Sequence, residues 1–332
     1  MDSISKKVQE MYRLFPYPVP TTEIRKSDEL LNLLRIFELE NSYKIEGRRI
    51  LDAGTGTGHR LLRVASHFKD NSYSAIDFSE KSIGIAKEIA KKNSIKNIDF
   101  RIANLMEDLS DLGKFDVVLC MGVLHHLANP KEGLLNLTKI LNQNGVIFLY
   151  LYGKLGSTKR MIRKKIVSLL LNNKKSDYQT GINLIKELKF DDFDYGWNLS
   201  YKTEDEKNSL IVDAFLHINE KLYDVNDIHK LMSNSSDLFG YSIFGITRKS
   251  AGVLFDTRIN AEKSSAIQFD LTDALSYSPL AKELYDSLSI KEKCKVLDLL
   301  YEPNGYTIIG LTRKFYNSLP PKNRIKQNLI RL

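Results

Sequence analysis

The chain has 332 residues, enough for one large domain or two ordinary ones, and its 42% hydrophobic and 27% charged residues are the balance of a globular protein in water. No apolar run approaches the roughly 20 residues of a membrane-spanning helix. Two cysteines, Cys120 and Cys294, exclude a disulfide framework or a thiolate metal quartet and point to a reducing cytoplasm. The net charge of +8 admits an anionic partner, nucleic acid or a membrane surface, but Lys, Asn and Ile are frequent along the whole length, so charge alone selects none of these.

The opening Met1-Asp2-Ser3-Ile4-Ser5-Lys6-Lys7 lacks the apolar core of a secretion signal. Residues 3–14 read as a short amphipathic helix with Ile4, Val8, Met11, Tyr12 and Phe15 along one side. Phe15-Pro16-Tyr17-Pro18-Val19-Pro20 stops it. Alternating prolines fit neither a helix nor an inner strand, leaving a rigid extended segment with two aromatic rings that lies over a cleft or packs on the domain surface. Residues 29–40 form a second helix, apolar at Leu30, Leu31, Leu34 and Phe37. From residue 49 strands and helices alternate, with strands expected over 49–53, 73–77, 98–102, 115–121 and 145–151. Helices are expected over 60–68, 80–92 (N-capped by Ser79) and 131–141. That spacing means a parallel sheet with right-handed crossovers.

The first of these strands runs into Asp52-Ala53-Gly54-Thr55-Gly56-Thr57-Gly58-His59. Glycines let the backbone turn sharply and approach a ligand, and the helix that follows points free N–H groups at whatever lies over the turn. A dinucleotide loop reads G-x-G-x-x-G. Counted from Gly54, its third glycine falls on His59, and counted from Gly56 on Leu61. The pattern that stands, D-x-G-x-G-x-G, resembles the first motif of class I S-adenosylmethionine-dependent methyltransferases. The resemblance covers about residues 48–152. It implies that Asp52, Ala53, Gly54, Thr55, Gly56 and Gly58 wrap the methionine part of the cofactor, with Asp52 helping to hold its ammonium group. A glycine-rich turn without a ligand is the alternative.

The later motifs are read in that frame. Asp77 ends the second strand 25 residues after Asp52, with Phe78 beside it. An acid there accepts from both ribose hydroxyls of an adenosine, or else caps the next helix. Asn104 and Leu105 follow the third strand, where relatives usually show Gly-Asp. The resemblance gives the Asn104 side-chain oxygen to the adenine amino group and the Leu105 N–H to a ring nitrogen. Phe115-Asp116-Val117-Val118 leading into Gly122-Val123-Leu124-His125-His126-Leu127 resembles the fourth motif of the small-molecule and ubiquinone-biosynthesis-like branch. There the backbone near Met121 and Gly122 borders the cofactor, and His126 lies at the rim of the substrate cleft. His126 serves as general base or structures its loop, and His125 is structural or solvent-facing. The motif lacks Asn/Asp-Pro-Pro-Tyr/Phe, a Pro-Cys nucleophile and the strand-end aspartate of magnesium-dependent catechol enzymes, which leaves direct, metal-free transfer. The Phe-Pro-Tyr-Pro run is similar to a segment ahead of the core in uncharacterised bacterial members of this class.

Beyond residue 152 the pattern changes. Residues 159–172 form a basic amphipathic helix in which Arg160, Arg163, Lys164 and Lys165 sit among Ile162, Ile166, Leu169 and Leu170. It is a solvated face or a contact for nucleic acid, acidic lipid or an acidic substrate. Residues 173–207, with Phe190, Phe193, Tyr195 and Trp197, read as an irregular insertion over the cleft. On a helix over 211–220, Asp213, His217 and Glu220 share one face, as an acid–base cluster or a solvated polar one. A helix over 225–232 is capped near Asn226. Two matching runs, 241–249 and 306–314, read as the antiparallel pair that closes the sheet, with helices at 270–275 and 280–300 between them and a frayed basic tail from Pro320.

The expected fold is α/β, a seven-stranded, mostly parallel class I methyltransferase sheet. Its expected parts are an N-terminal cover (1–45), a core (46–155), a helical insertion or lid (156–238), a C-terminal completion of the sheet (239–318) and a basic tail (319–332). The expected activity is metal-free, in-line methyl transfer from S-adenosyl-L-methionine to an O, N or C nucleophile of a small-molecule substrate. His126, Asp213 and His217 are the candidates for removing a proton. RNA or protein methylation, or cofactor binding without catalysis, are the alternatives.

Overall fold

The structure is a computed structural model. It describes the whole chain except residues 1, 20, 22, 26–27, 173–176, 192–202, 236, 247–265, 269–274, 322, 324–329 and 332. Five strands run in parallel: β1 (Arg49–Ala53), β2 (Ser72–Asp77), β3 (Ile98–Ile102), β4 (Phe115–Met121) and β5 (Leu141–Tyr152). The crossovers carry α3 (His59–His67), α4 (Glu80–Lys92) and α5 (Pro130–Lys139), after α1 (Ser3–Leu14) and α2 (Glu29–Asn41) at the N-terminus. Local chemistry sets these starts. Ser79 caps α4 by accepting from the Ser82 N–H, and Asn129 caps α5 with Pro130 in its first turn. β4 is apolar almost throughout because helices cover both faces of the sheet.

The sheet runs β3-β2-β1-β4-β5-β8-β6-β7. β8 (Gly305–Leu311) lies antiparallel to β5 and to β6 (Gly240–Ile246). The two matching runs therefore do form an antiparallel pair, in a register that sets Tyr241 opposite Gly310 and Gly245 opposite Tyr306. Each tyrosine lies across from the other strand's glycine, where no side chain competes for space. Among the described residues the sheet has nine strands where seven were expected. The additions, β7 (Ala266–Gln268) and β9 (Ile330–Arg331), both pair with β6. β9 stands where a frayed tail was expected: backbone groups at the end of the chain find partners on an open edge.

One face of the sheet packs on α2, α3 and α12 (Arg313–Ser318), through Leu34, Phe37, Leu61, Phe148 and Phe315. The other packs on α5, α9 (Val225–Met232) and α11 (Ile290–Tyr301), through Leu137, Ile147, Ile228, Leu231 and Leu297. The long helix expected over 280–300 is two, α10 (Pro279–Asp286) and α11, because a Ser289–Glu292 capping box starts the second. The helix expected at 270–275 falls outside the described residues except for Leu275. Asp224, not Asn226, caps α9, in a box with Asp227.

Between β5 and α9 lie α6 (Thr158–Leu171), α7 (Tyr178–Glu187) and α8 (Glu204–Ile211), then a π-helical turn, Val212–Leu216. α7 occupies part of what reads as irregular in sequence. Val167, Leu171, Ile182, Ile185, Ile211 and Phe215 form a separate apolar cluster, which takes in Met11 of α1. α1 is thus packed with these helices, whereas α2 belongs to the sheet core.

Candidate active site

The order of strands reverses between β2-β1 and β4-β5, and the crevice at that switch point opens at the carboxyl ends of β1, β2 and β4. The glycine turn fills it. The Gly54 and Thr55 N–H groups bind the Ile76 carbonyl, which fixes the turn against β2. Gly56 has φ +56, and a Cβ there would run into the Tyr17 carbonyl oxygen. The turn is therefore glycine-bound by both backbone angle and close approach. Gly58 follows as the left-handed residue that starts α3. The Phe-Pro-Tyr-Pro segment lies on this turn. Pro18 O accepts from Thr57 Oγ1 at 2.8 Å, and Gln9 of α1 donates to Phe78 O at 2.7 Å.

Asp52 and Asp77 flank the turn, 5% and 9% exposed. Asp52 accepts from Thr55 Oγ1 at 2.7 Å. Asp77 accepts from the Gly56 N–H and the Ser79 N–H, each at 2.9 Å. Burial first of all, aided by the Asp52 charge and opposed by those backbone donors, pushes the Asp77 carboxyl up from 3.8 to about 6. Asp52 is raised too, by burial. Neither acid forms an ion pair with a Lys or Arg side chain among the described residues. Two neighbouring buried acids with no cation in contact, Asp52 feeling only the more distant charge of Arg60, leave a place for a positively charged, hydroxyl-rich ligand.

Ala53 and Met121 are buried at the ends of β1 and β4. Asn104 is turned onto its own loop. Its side-chain oxygen accepts from the Met106 N–H at 3.1 Å and its amide donates to Glu107 at 3.0 Å, so adenine would meet only the remaining lone pair. The Leu105 side chain is core, and its carbonyl accepts from Asn136.

The structure brings His126, Asp213 and His217 together, with one donor atom of each within 4.8 Å of the others. Helical spacing does not do this. α8 ends at Ile211, the π turn carries Asp213, and His217 lies beyond it in an extended conformation. His126 follows β4 on a short 3-10 turn, Leu124–His126. The two imidazole rings stack with centroids 3.8 Å apart at 19°. Tyr12 from α1 completes the group, donating to Asp213 Oδ1 at 3.2 Å and lying 3.2 Å from His217 Nε2. Tyr152, at the end of β5, reaches Asp213 Oδ2 at 3.4 Å. Burial lowers both histidines and raises Asp213 and Tyr12. The rings are therefore neutral at pH 7. Their near-parallel stacking also tells against a shared metal ion. Ring-nitrogen lone pairs lie in the ring plane, and an ion bound to both rings at about 2.1 Å would have to stand well out of each plane.

Glu220, expected on the same face, points instead to α6. Arg160 binds it at 2.6 Å and Lys164 at 2.9 Å, with Glu220 1% exposed. Two of the four bases of the basic helix are thus spent inside the protein, and Arg163 packs over the Phe190 ring. His125 is buried, not solvent-facing. Its ring lies against both His126 and Tyr152, and neither nitrogen has a hydrogen-bond partner among the described residues. Tyr12, Tyr152 and Asn219 are the site residues that sequence reasoning missed. Tyr12 reads as one more apolar residue on a helix stripe, and nothing in sequence marks Asn219, whose side-chain amide ties down the carbonyls of His126 and Leu127.

Residues 44–195 match the family described as a methyltransferase domain. An uncharacterised protein of Synechococcus is 27% identical over 202 residues, 58% of this chain and 48% of its own length. The ubiquinone biosynthesis O-methyltransferase of Pelagibacter ubique is 35% identical over 119 residues, 36% of this chain and 48% of its own. The chain thus matches about half the length of these curated relatives. In fold it is similar to PKMT2 from Rickettsia typhi in complex with AdoHcy, with TM-score 0.60 and 20% identity over 91% of this chain and 55% of that one. No helix among the described residues is long and apolar enough to cross a membrane. Residues 44–195 thus match a methyltransferase domain, and the match spans the parallel strands and the acid-flanked glycine turn described above.

Proposed function

We propose that the protein transfers a methyl group from S-adenosylmethionine to a small-molecule acceptor, in line and without a metal. The observation that carries this is the pair of buried, unpaired acids, Asp52 and Asp77, on either side of a glycine turn that a side chain would block. S-adenosylmethionine, when bound, supplies a methyl already activated on a sulfonium. Asp52 would balance its ammonium group and Asp77 would accept from its ribose hydroxyls, while Ala53, Gly54, Thr55, Gly56, Gly58, Phe78 and Met121 would line the rest of its site. The protein's own task is then to align a nucleophile, exclude water and accept a proton. His126 and His217 are buried and their values lie below the ordinary imidazole value, so their rings are neutral, as a proton acceptor at pH 7 needs to be. A small acceptor suits a site covered by α1 and the lid, and the name of the Pelagibacter relative agrees with it. A cytoplasmic location fits the cysteine usage.

The test is to incubate the protein with methyl-labelled S-adenosylmethionine and a cell extract and follow the label. Label entering the small-molecule fraction supports the reading. Label confined to RNA or protein replaces the acceptor class, and no label in any fraction removes the activity.

A further inference from the structure

The hydrogen bonds around the stacked rings assign their protons. The Asn219 carbonyl oxygen can only accept, so His126 Nδ1, 3.0 Å away, carries the ring proton. The neutral ring then has its lone pair on Nε2, which makes no hydrogen bond among the described residues. The Asn219 backbone N–H can only donate, so His217 Nδ1, 3.1 Å away, is unprotonated. The neutral His217 ring carries its proton on Nε2, which faces the Tyr12 hydroxyl at 3.2 Å. That hydroxyl accepts from His217 and passes its own proton to Asp213 Oδ1. One residue thus locks two stacked imidazoles in opposite tautomers, and a tyrosine from the far end of the chain occupies the proton that one of them presents.

We infer that Tyr12 is a positioning residue whose hydroxyl takes up the His217 N–H while itself donating to Asp213, leaving His126 Nε2 as the proton acceptor for a neutral hydroxyl or N–H nucleophile. The inference rests on the methyltransferase reading for what delivers the proton. As the new bond from the acceptor's O or N to the methyl carbon forms, the S–CH3 bond breaks and leaves its electron pair on sulfur. The acceptor's O–H or N–H bond then gives its proton to His126 Nε2. Asp213 acts through its charge, which favours the protonated His126 that results. The charged and titratable groups facing this pair are His125 and Tyr152 from the sheet, Arg160, Lys164 and Glu220 from the lid, and Tyr12 and Tyr17 from the N-terminal segment.

Histidine-selective 15N NMR of the full chain reads the tautomers without a substrate. The wild type should show His126 as Nδ1–H and His217 as Nε2–H at pH 7. Tyr12→Phe keeps the ring that meets His217 edge-on at 5.7 Å and removes only the hydroxyl. It should speed solvent exchange of the His217 Nε2–H about fivefold or more. It should also move the ionisation of Asp213, followed through the His126 resonance, to higher pH, because the carboxylate loses a donor. A His217 Nδ1–H tautomer in the wild type overturns the inference even if the variant fails to fold, and so does a variant with unchanged exchange and titration. Calorimetry with S-adenosylhomocysteine on the wild type separates the two levels. Binding with the wrong tautomers removes only the role of Tyr12, whereas absence of binding removes the methyltransferase reading and this inference with it.

Discussion

His126 and His217 come from segments 91 residues apart in sequence, and their imidazoles stack 3.8 Å apart at 19°. This contact joins the turn after β4 to the segment beyond the π turn. His126→Gln keeps most of the volume and removes the basic lone pair. Label transfer to the acceptor fraction should fall by about 10²- to 10⁴-fold, the usual share of a general base, while binding of S-adenosylhomocysteine persists. Because the two rings do not converge on a common ion, a chelator should leave the wild-type rate unchanged.

Asp77 is costly to the fold and useful to the site. Its folded value, about 6, lies above the ordinary 3.8. The folded state therefore holds this proton more tightly than the unfolded one. Stability from this group is full below pH 3.8, declines as pH rises and is lost above about 6, a cost of about 3 kcal/mol at pH 7. Asp77→Asn removes that cost and loses about 1 kcal/mol where the amide meets the Ser79 N–H. Thermal unfolding at pH 7 should move to higher temperature while cofactor binding is lost. A lower melting temperature would contradict this account of the carboxylate.

The strand–helix alternation, the glycine turn with its acids, and the sheet-closing pair were legible because each has a local signal: apolar runs, glycine spacing, or a repeated Tyr-x-x-x-Gly whose members pair crosswise. The convergence of His126 with Asp213 and His217 was legible only as a list of candidates. A π turn puts Asp213 and His217 in place, and no α-helical spacing encodes it. Tyr12 could not be found at all, since its partners lie more than 200 positions away. The two short edge strands were missed because their partners are backbone groups on β6, which leave no side-chain pattern.

His125 burdens the fold in acid. Burial holds its value far below the ordinary 6.5, with the neighbouring His126 adding to the effect. The unfolded chain thus binds the proton that the folded chain refuses, and stability falls as pH drops below 6.5. Chemical denaturation of His125→Phe above and below pH 6.5 should show a smaller loss than the wild type, whatever the variant's absolute stability.

Glu220 ties the lid helix α6 to the segment that holds His217. Arg160 and Lys164 both end on it in a buried position. Glu220→Ala leaves two cations without their anion and should destabilise the protein by about 3–5 kcal/mol, measured by denaturant unfolding. Burial alone would raise the Glu220 carboxyl, but Lys164 and Arg160 outweigh it and hold it below 4.5. The stabilisation is therefore present above pH 4.5 and lost as pH falls through the lowered value.

The claim on which the rest depends is that the acid-flanked glycine turn holds the methyl donor. Isothermal titration of the full chain with S-adenosylhomocysteine tests it, alongside Gly56→Val, whose side chain would strike the Tyr17 carbonyl. The expected result is one micromolar site in the wild type that disappears in the variant. A wild type that binds nothing, or a Gly56→Val that binds equally well, would contradict it.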